Sequence, residues 1–289
     1  MTAVNWGRAT FDHFERRYGT STAVASVVVR VGQESLRAYV KPLGNPQGPH
    51  VLACELVGSK LARWFGLPTF DFGIINLEEA DEIPMPHGMA RPGPAFAAKA
   101  EAGRQWSGNA KELEKLVNPK DLPRLVVFDT WTLNCDRHPP DLEVRKSNRS
   151  NVFLSEDGIE PGRRRLTAMD HTHCFTCGRY LAGNVATIER VKDERIYGLF
   201  PAFRNWMKAE VVKACEDRLA QVDEGAVYDI VESVPSEWEV SQQARDGLVD
   251  LITQRAAFLS GRVCDMLRPY FCPAQLEFPF IKEMSNGGT

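Results

Sequence analysis

The sequence lacks a charge excess of either sign: 35 Lys and Arg face 38 Asp and Glu, for a net charge of −3. No global basic field is present to hold nucleic acid, so no nucleic-acid partner is expected. No apolar run approaches the roughly 18 residues that a membrane helix needs. The opening MTAVNWGRATFDHFERR has no apolar stretch of the kind a secretory signal carries. Internal repeats and low-complexity segments are also missing, and the ordinary composition excludes a mostly disordered chain, a collagen-like chain and a simple coiled coil. Cysteine is neither dense nor even in number. Seven are scattered over 289 residues, at Cys54, Cys135, Cys174, Cys177, Cys215, Cys264 and Cys272. That usage suits reduced, mostly buried thiols, and a cytoplasmic location is the expectation.

What is present describes an ordinary globular chain, 43% hydrophobic and 25% charged, long enough for one large domain or two modest ones. The first 77 residues read as strand-rich. Ala23 to Val31 is dense in β-branched residues and Leu36 to Lys41 alternates. With Gly32-Gln33-Glu34-Ser35 between them, the pair reads as a hairpin. Leu36, Ala38 and Val40 share one face of the second strand, and Arg37, Tyr39 and Lys41 the other. A helix follows over His50 to Phe65, its apolar stripe formed by Val51, Cys54, Gly58, Leu61 and Phe65, with Glu55 on the stripe's border. Gly66 and Pro68 stop it, and Thr69 to Leu77 reads as a strand. Residues 78 to 94 are rich in proline and read as a connector between lobes. Beyond it the chain turns helical: Asn109 to Val117, then a helix N-capped by Asp121, and amphipathic helices over 204–222 and 237–268, with Trp206 and Trp238 read as core. The resulting organisation is an N-lobe over 1–78, a hinge over 79–94 and a helical C-lobe over 95–289.

The densest chemical signal is Asn134-Cys135-Asp136-Arg137-His138, directly after an apolar helix. Asn151 opens the short strand Val152-Phe153-Leu154, and Asp170 closes the strand Leu166 to Met169. An acid after a helix, then an amide, then a short hairpin ending on a second acid is the set phosphoryl transfer needs. One carboxylate takes or orients the acceptor's proton, while an amide oxygen and a second carboxylate hold Mg²⁺ against phosphates. Lys41 on a strand and Glu55 on the next helix would supply the phosphate-holding pair. Gly19-Thr20-Ser21 could present backbone N–H groups to phosphate.

These motifs, together with Leu61-Ala62, Gly66-Leu67-Pro68 and the His171 and Phe175 that follow Asp170, resemble the HipA-like protein kinases, and more remotely the phosphoinositide kinases. The resemblance covers roughly residues 15 to 185. It implies an α+β, bilobal protein-kinase-like fold and transfer of the γ-phosphoryl group of ATP, with Mg²⁺, to a protein Ser or Thr. In those terms Asp136 is the base, Asn151 and Asp170 hold the metal, and Lys41, Glu55, Gly19, Thr20 and Ser21 serve the nucleotide. Autophosphorylation is implied at Thr20, Ser21 or Thr22. The family's namesake has a further N-terminal subdomain and an antitoxin partner; from the short start of this chain we expect neither.

One departure stands out. The family places its metal-binding Asn three residues after Asp-Arg-His, where this sequence has Asp141. Asn151 is favoured, because an apolar strand follows it, and the inserted stretch is expected to project Arg145, Lys146 and Arg149 near the acceptor. Arg137 is expected to pair with a carboxylate, and His138 to make a structural hydrogen bond. Segment 171–177 carries zinc-ligand residue types in poor tetrahedral spacing. We instead expect His171 at the nucleotide site and the cysteines buried. Two other readings stay open: a nucleotide-binding pseudokinase that acts as an interaction module, and a lipid or small-molecule kinase.

Overall fold

The structure, a computed structural model, describes residues 3–271; Cys272 lies outside them. A five-stranded antiparallel sheet forms the N-terminal part, from β1 (Ala9–Arg17), β2 (Ala25–Val31), β3 (Glu34–Leu43), β4 (Phe72–Leu77) and, after a small hairpin of β5 (Pro84–Met85) and β6 (Gly88–Met89), β7 (Arg91–Lys99). Its order is β1-β2-β3-β7-β4. Val31 pairs with Glu34, so Gly32 and Gln33 alone make the turn of the β2–β3 hairpin. The left-handed φ of 64° falls on Gly32, where no Cβ resists it.

Alternation along the strands gives the sheet two faces. Val27, Val29, Ala38, Val40, Ala95 and Ala97 pack on one side, closed by Trp6, Ile83 and Met85. Phe72, Phe96 and Ala98 face the other way, into the larger core with α1 (His50–Trp64). Lys41 alternates with Val40 and therefore looks toward α1. That helix is covered almost all round, because the sheet packs on one side of it and the C-terminal part on the other. Glu55, expected at the border of a stripe, is accordingly buried at 4% exposure.

Two parts of the sheet differ from the sequence expectation. β1 precedes the hairpin, so Gly19, Thr20 and Ser21 lie in the loop between the first two strands. The strand has weak alternation because its pairing slips twice, between Phe11 and His13 and between Phe14 and Arg16. The proline-rich stretch does not leave the sheet: residues 95–99, expected in the helical lobe, sit in β7 between β3 and β4. Its prolines are tolerated because they fall where the β3 register jumps from Lys41↔Phe96 to Leu43↔Arg91, while pairing with β4 continues through Pro94↔Asn76.

Beyond the sheet come β8 (Gly103–Gln105), α2 (Ala110–Leu113), α3 (Asp121–Thr132) and the hairpin of β9 (Val152–Ser155) and β10 (Arg165–Ala168). Asp121 is the first helical residue of α3, not its cap. Then α4 (Ile188–Val191), α5 (Ala209–Leu219), α6 (Glu224–Glu232), α7 (Gln242–Leu259) and α8 (Val263–Leu267) complete the helical part. Trp238 is fully buried and donates its indole N–H to the Pro94 carbonyl at 2.9 Å, joining this part to the sheet; Trp206 is half-buried. Among the described residues no helix is long and apolar enough to cross a membrane.

Candidate active site

Lys41 leaves β3 toward α1 and meets two carboxylates. Its Nζ donates to Glu55 Oε2 at 2.8 Å and to Asp170 Oδ1 at 3.1 Å. Burial alone would favour the neutral amine, but Asp170 and Glu55 reverse that and hold the pKa above the usual lysine value. Burial likewise opposes the charge on Asp170. The Lys41 ammonium and a hydrogen bond from Thr172 Oγ1 at 2.8 Å outweigh it, holding the carboxyl below its usual range. Glu55 Oε2 also accepts the His171 N–H at 2.9 Å, which ties α1 to the segment carrying Asp170. Gly58, one turn along α1, permits that approach: a Cβ there would lie 2.5 Å from His171 Cβ.

A second cluster forms where α3 ends. Leu133 takes a left-handed φ of 54° and turns the chain out of the helix. Asn134 then fixes the turn, its amide donating to Asp129 Oδ1 at 3.0 Å and its oxygen accepting the Asp136 N–H at 3.2 Å. Asp136 Oδ2 accepts from Asn151 Nδ2 at 2.7 Å and from Asn148 Nδ2 at 3.2 Å. Asp136 Oδ1 accepts from Arg145 at 2.5 Å.

Two connections join the clusters. Thr172 Oγ1 contacts His173 Nδ1 at 3.2 Å, and that ring nitrogen lies 3.8 Å from Asp136 Oδ2. Beneath, the fully buried Arg137 pairs with Asp129 and donates to the carbonyls of Asn151 at 3.0 Å and Met169 at 2.7 Å. One guanidinium thus fixes the backbone at Asn151 and just before Asp170. Asp170 itself has a left-handed φ of 56°, a costly conformation for a residue with a Cβ and one that clusters at functional sites.

The structure therefore brings together Lys41, Glu55, Asp136, Asn151 and Asp170. Asp141 does not join them; it is exposed, and its carboxylate accepts the Glu143 and Val144 N–H groups of its own turn. Gly19, Thr20 and Ser21 are exposed and hydrogen-bond to none of the five. Their loop ends where Ala25 pairs with Val40, next to Lys41 along the register, and Thr20 Oγ1 closes it by accepting the Val24 N–H at 3.0 Å.

Several expectations need correction. Arg145, expected near the acceptor, lies directly on Asp136, whereas Lys146 and Arg149 are exposed. His138 makes no side-chain hydrogen bond through its buried Nδ1; its ring packs on Phe200 with centroids 4.7 Å apart. The His171 imidazole points into the core against Phe128, and His173 is the ring that faces the site. Cys177 is exposed, whereas Cys54, Cys135, Cys174 and Cys215 are buried. Among the described residues no three His, Cys, Asp or Glu side chains converge on one point that could hold a metal. Sequence reasoning missed Asn148 and Asp129. Asp129 left a signal, as a lone acid between Val126-Val127-Phe128 and Thr130-Trp131.

A model of the HipA-like kinase family matches residues 32–263, a span holding all five clustered residues. The chain belongs to the HipA-like kinases. A HipA-like kinase is a phosphotransferase, and such kinases use ATP and a divalent metal. Among solved structures, the crystal structure of the Helicobacter pylori proinflammatory kinase CtkA is similar, with a TM-score of 0.54. The match covers 89% of this chain and 97% of that one at 13% identity, a likeness of fold. No curated protein matches. The HipA-like site here fits nucleotide and metal by its donor set. A buried, charged Lys41 suits phosphate, and carboxylate and amide oxygens suit Mg²⁺, which takes its remaining ligands from phosphate and water.

Proposed function

We propose that this HipA-like kinase transfers the γ-phosphoryl group of ATP to a Ser or Thr hydroxyl of a protein. The observation that carries the reading is the double engagement of Lys41 by Glu55 and Asp170, linked through Thr172 and His173 to the Asp136–Asn151 pair. Bound Mg²⁺ would neutralise charge on the phosphates. Asn151 and Asp170 are the residues to hold it. Lys41 holds and orients phosphate oxygens, and Glu55 fixes Lys41. Asp136 orients the acceptor hydroxyl and takes its proton at Oδ1, the oxygen that carries Arg145 here, since Oδ2 is held by two amides. Rate comes from positioning and charge placement.

The loop carrying Gly19, Thr20 and Ser21 is the segment to cover the phosphates. Autophosphorylation belongs there too, at Ser21 before Thr22, because Ser21 is exposed and Thr22 is buried. A phosphate on that loop adds up to about two negative charges beside the nucleotide's own and weakens ATP binding. A cytoplasmic setting with free thiols completes the reading.

Incubation with γ-labelled ATP and Mg²⁺, wild type beside Asp136→Asn, with the phosphosite mapped by mass spectrometry, tests it. Label on Ser or Thr in the wild type and none in the variant supports it. Nucleotide binding without transfer would favour the pseudokinase, a reading to which the Arg145 cover over Asp136 lends weight. Label appearing only in added lipid or small-molecule acceptors would move the acceptor class.

A further inference from the structure

We propose that Arg145 is the ligand of the nucleotide's terminal phosphate, and that in the nucleotide-free chain it caps the base it will uncover. The inference rests on the phosphotransferase reading above.

The other two cations at the centre of the site are fixed in place. Lys41, held by Glu55 and Asp170, is the stationary phosphate ligand on its own side of the site, and Arg137 is fully buried on Asp129 and two backbone carbonyls. Arg145 differs in three respects. It stands on irregular chain between Asp136 and the single 3-10 turn Arg149–Asn151 that leads into β9, and its side chain is 32% exposed. It uses few of its five donors: one on Asp136 Oδ1 at 2.5 Å and one on the weak acceptor Cys135 Sγ at 3.2 Å. Above all, it covers the one oxygen of Asp136 that no amide holds. Among the described residues Oδ1 accepts from Arg145 alone, while Oδ2 accepts from both Asn148 and Asn151.

A terminal phosphate presents more negative charge than one carboxylate and matches the guanidinium fork bidentately. A triphosphate arriving between Lys41 and Asp136 therefore draws Arg145 off Oδ1. That single move frees the base to meet the acceptor hydroxyl and sets a cation where charge develops on the transferring group. A diphosphate ends short of this position and leaves Arg145 on Asp136. The inserted stretch thus supplies a discriminating residue for the reaction. Lys146, its exposed neighbour, carries the same charge without the contact to Asp136.

Calorimetric binding of Mg²⁺·ADP and of a Mg²⁺-bound non-hydrolysable ATP analogue to wild type, Arg145→Ala, Arg145→Lys and Lys146→Ala tests the proposal. The expected result is a loss of about 10- to 100-fold in analogue affinity for Arg145→Ala, with ADP affinity unchanged. Arg145→Lys should retain part of the preference, and Lys146→Ala all of it. An Arg145→Ala chain that keeps the wild-type ratio of the two affinities overturns the inference. So does one that loses both affinities equally, because Arg145 would then only hold the loop. A wild-type chain that binds neither nucleotide overturns the phosphotransferase reading, and this inference with it.

Discussion

Lys41 and Glu55 stand on a strand and a helix that face each other through a packed core, whereas Asp136, Arg145 and Asn148 stand on the irregular chain between α3 and β9. The first group is fixed by register and helix period: moving Lys41 means moving β3 against β7. The second is fixed by side chains reaching back to backbone, chiefly Arg137 and Asn134. This division suits phosphoryl transfer, in which catalysis comes mainly from holding the nucleotide's phosphates and orienting the acceptor hydroxyl. It also predicts that substitutions in the two halves will fail in different ways.

The largest effects should come from the reacting residues. Asp136→Asn and Asp170→Asn should each lower phosphate transfer by about 10²-fold or more, read as labelled phosphate incorporated per minute. Asp170→Asn should also weaken nucleotide binding; Asp136→Asn should not. Equal binding defects in both would erase the division between the halves. Arg137→Ala comes next. It strands Asp129 in the core, and breaking such a buried pair costs about 3–5 kcal/mol, measurable by denaturant unfolding. Activity should fall with it, because the Asn151 and Met169 backbones lose their common tether.

The rigid half offers a sharper packing test. Gly58→Ala places a methyl against His171, and overpacking of this kind costs about 1–3 kcal/mol. The accompanying shift at Asp170 should raise the KM for ATP. Lys41→Met should harm transfer more than Glu55→Ala, since Asp170 still holds Lys41 when Glu55 is gone. The smallest effects belong to the loop. Asn148→Ala removes one of two amides on Asp136 Oδ2, together with the amide that donates to Asn151 Oδ1 at 3.1 Å, and should slow transfer about 10-fold, the low end of what one hydrogen bond to a charged group is worth. Asp141→Ala should be nearly silent in the same assay. An Asp141→Ala enzyme more damaged than Asn148→Ala would show that the loop is organised around the wrong residue.

The two halves also differ in how far the sequence reveals them. Lys41 and Glu55 are legible because strand alternation and helix period state which way a side chain faces, and Gly32, Gly66 and Pro68 mark where those elements end. Asn134 to His138 and the hairpin acids are legible as a motif. The contacts between them are not. Arg145 meets Asp136 only because the inserted stretch returns to its own start, and nothing local in the sequence encodes a return. His171 and His173 are two residues apart yet face opposite ways, the first into the core under Gly58 and the second toward Asp136. β1 is obscured by its two register slips, and β7 by prolines that read as a linker until the interrupted pairing with β3 is seen. In each case tertiary placement supplied what local pattern could not.

The central claim is that Asn151 and Asp170 hold the metal on one side of the reacting phosphate while Asp136 waits on the other. A crystal structure with Mg²⁺ and a non-hydrolysable ATP analogue measures it most directly. The account predicts Asn151 and Asp170 side-chain oxygens at about 2.1 Å from Mg²⁺, with Lys41 on phosphate oxygens and Asp136 off the metal. Mg²⁺ held by Asp141, with Asn151 still turned away onto Asp136, would contradict it.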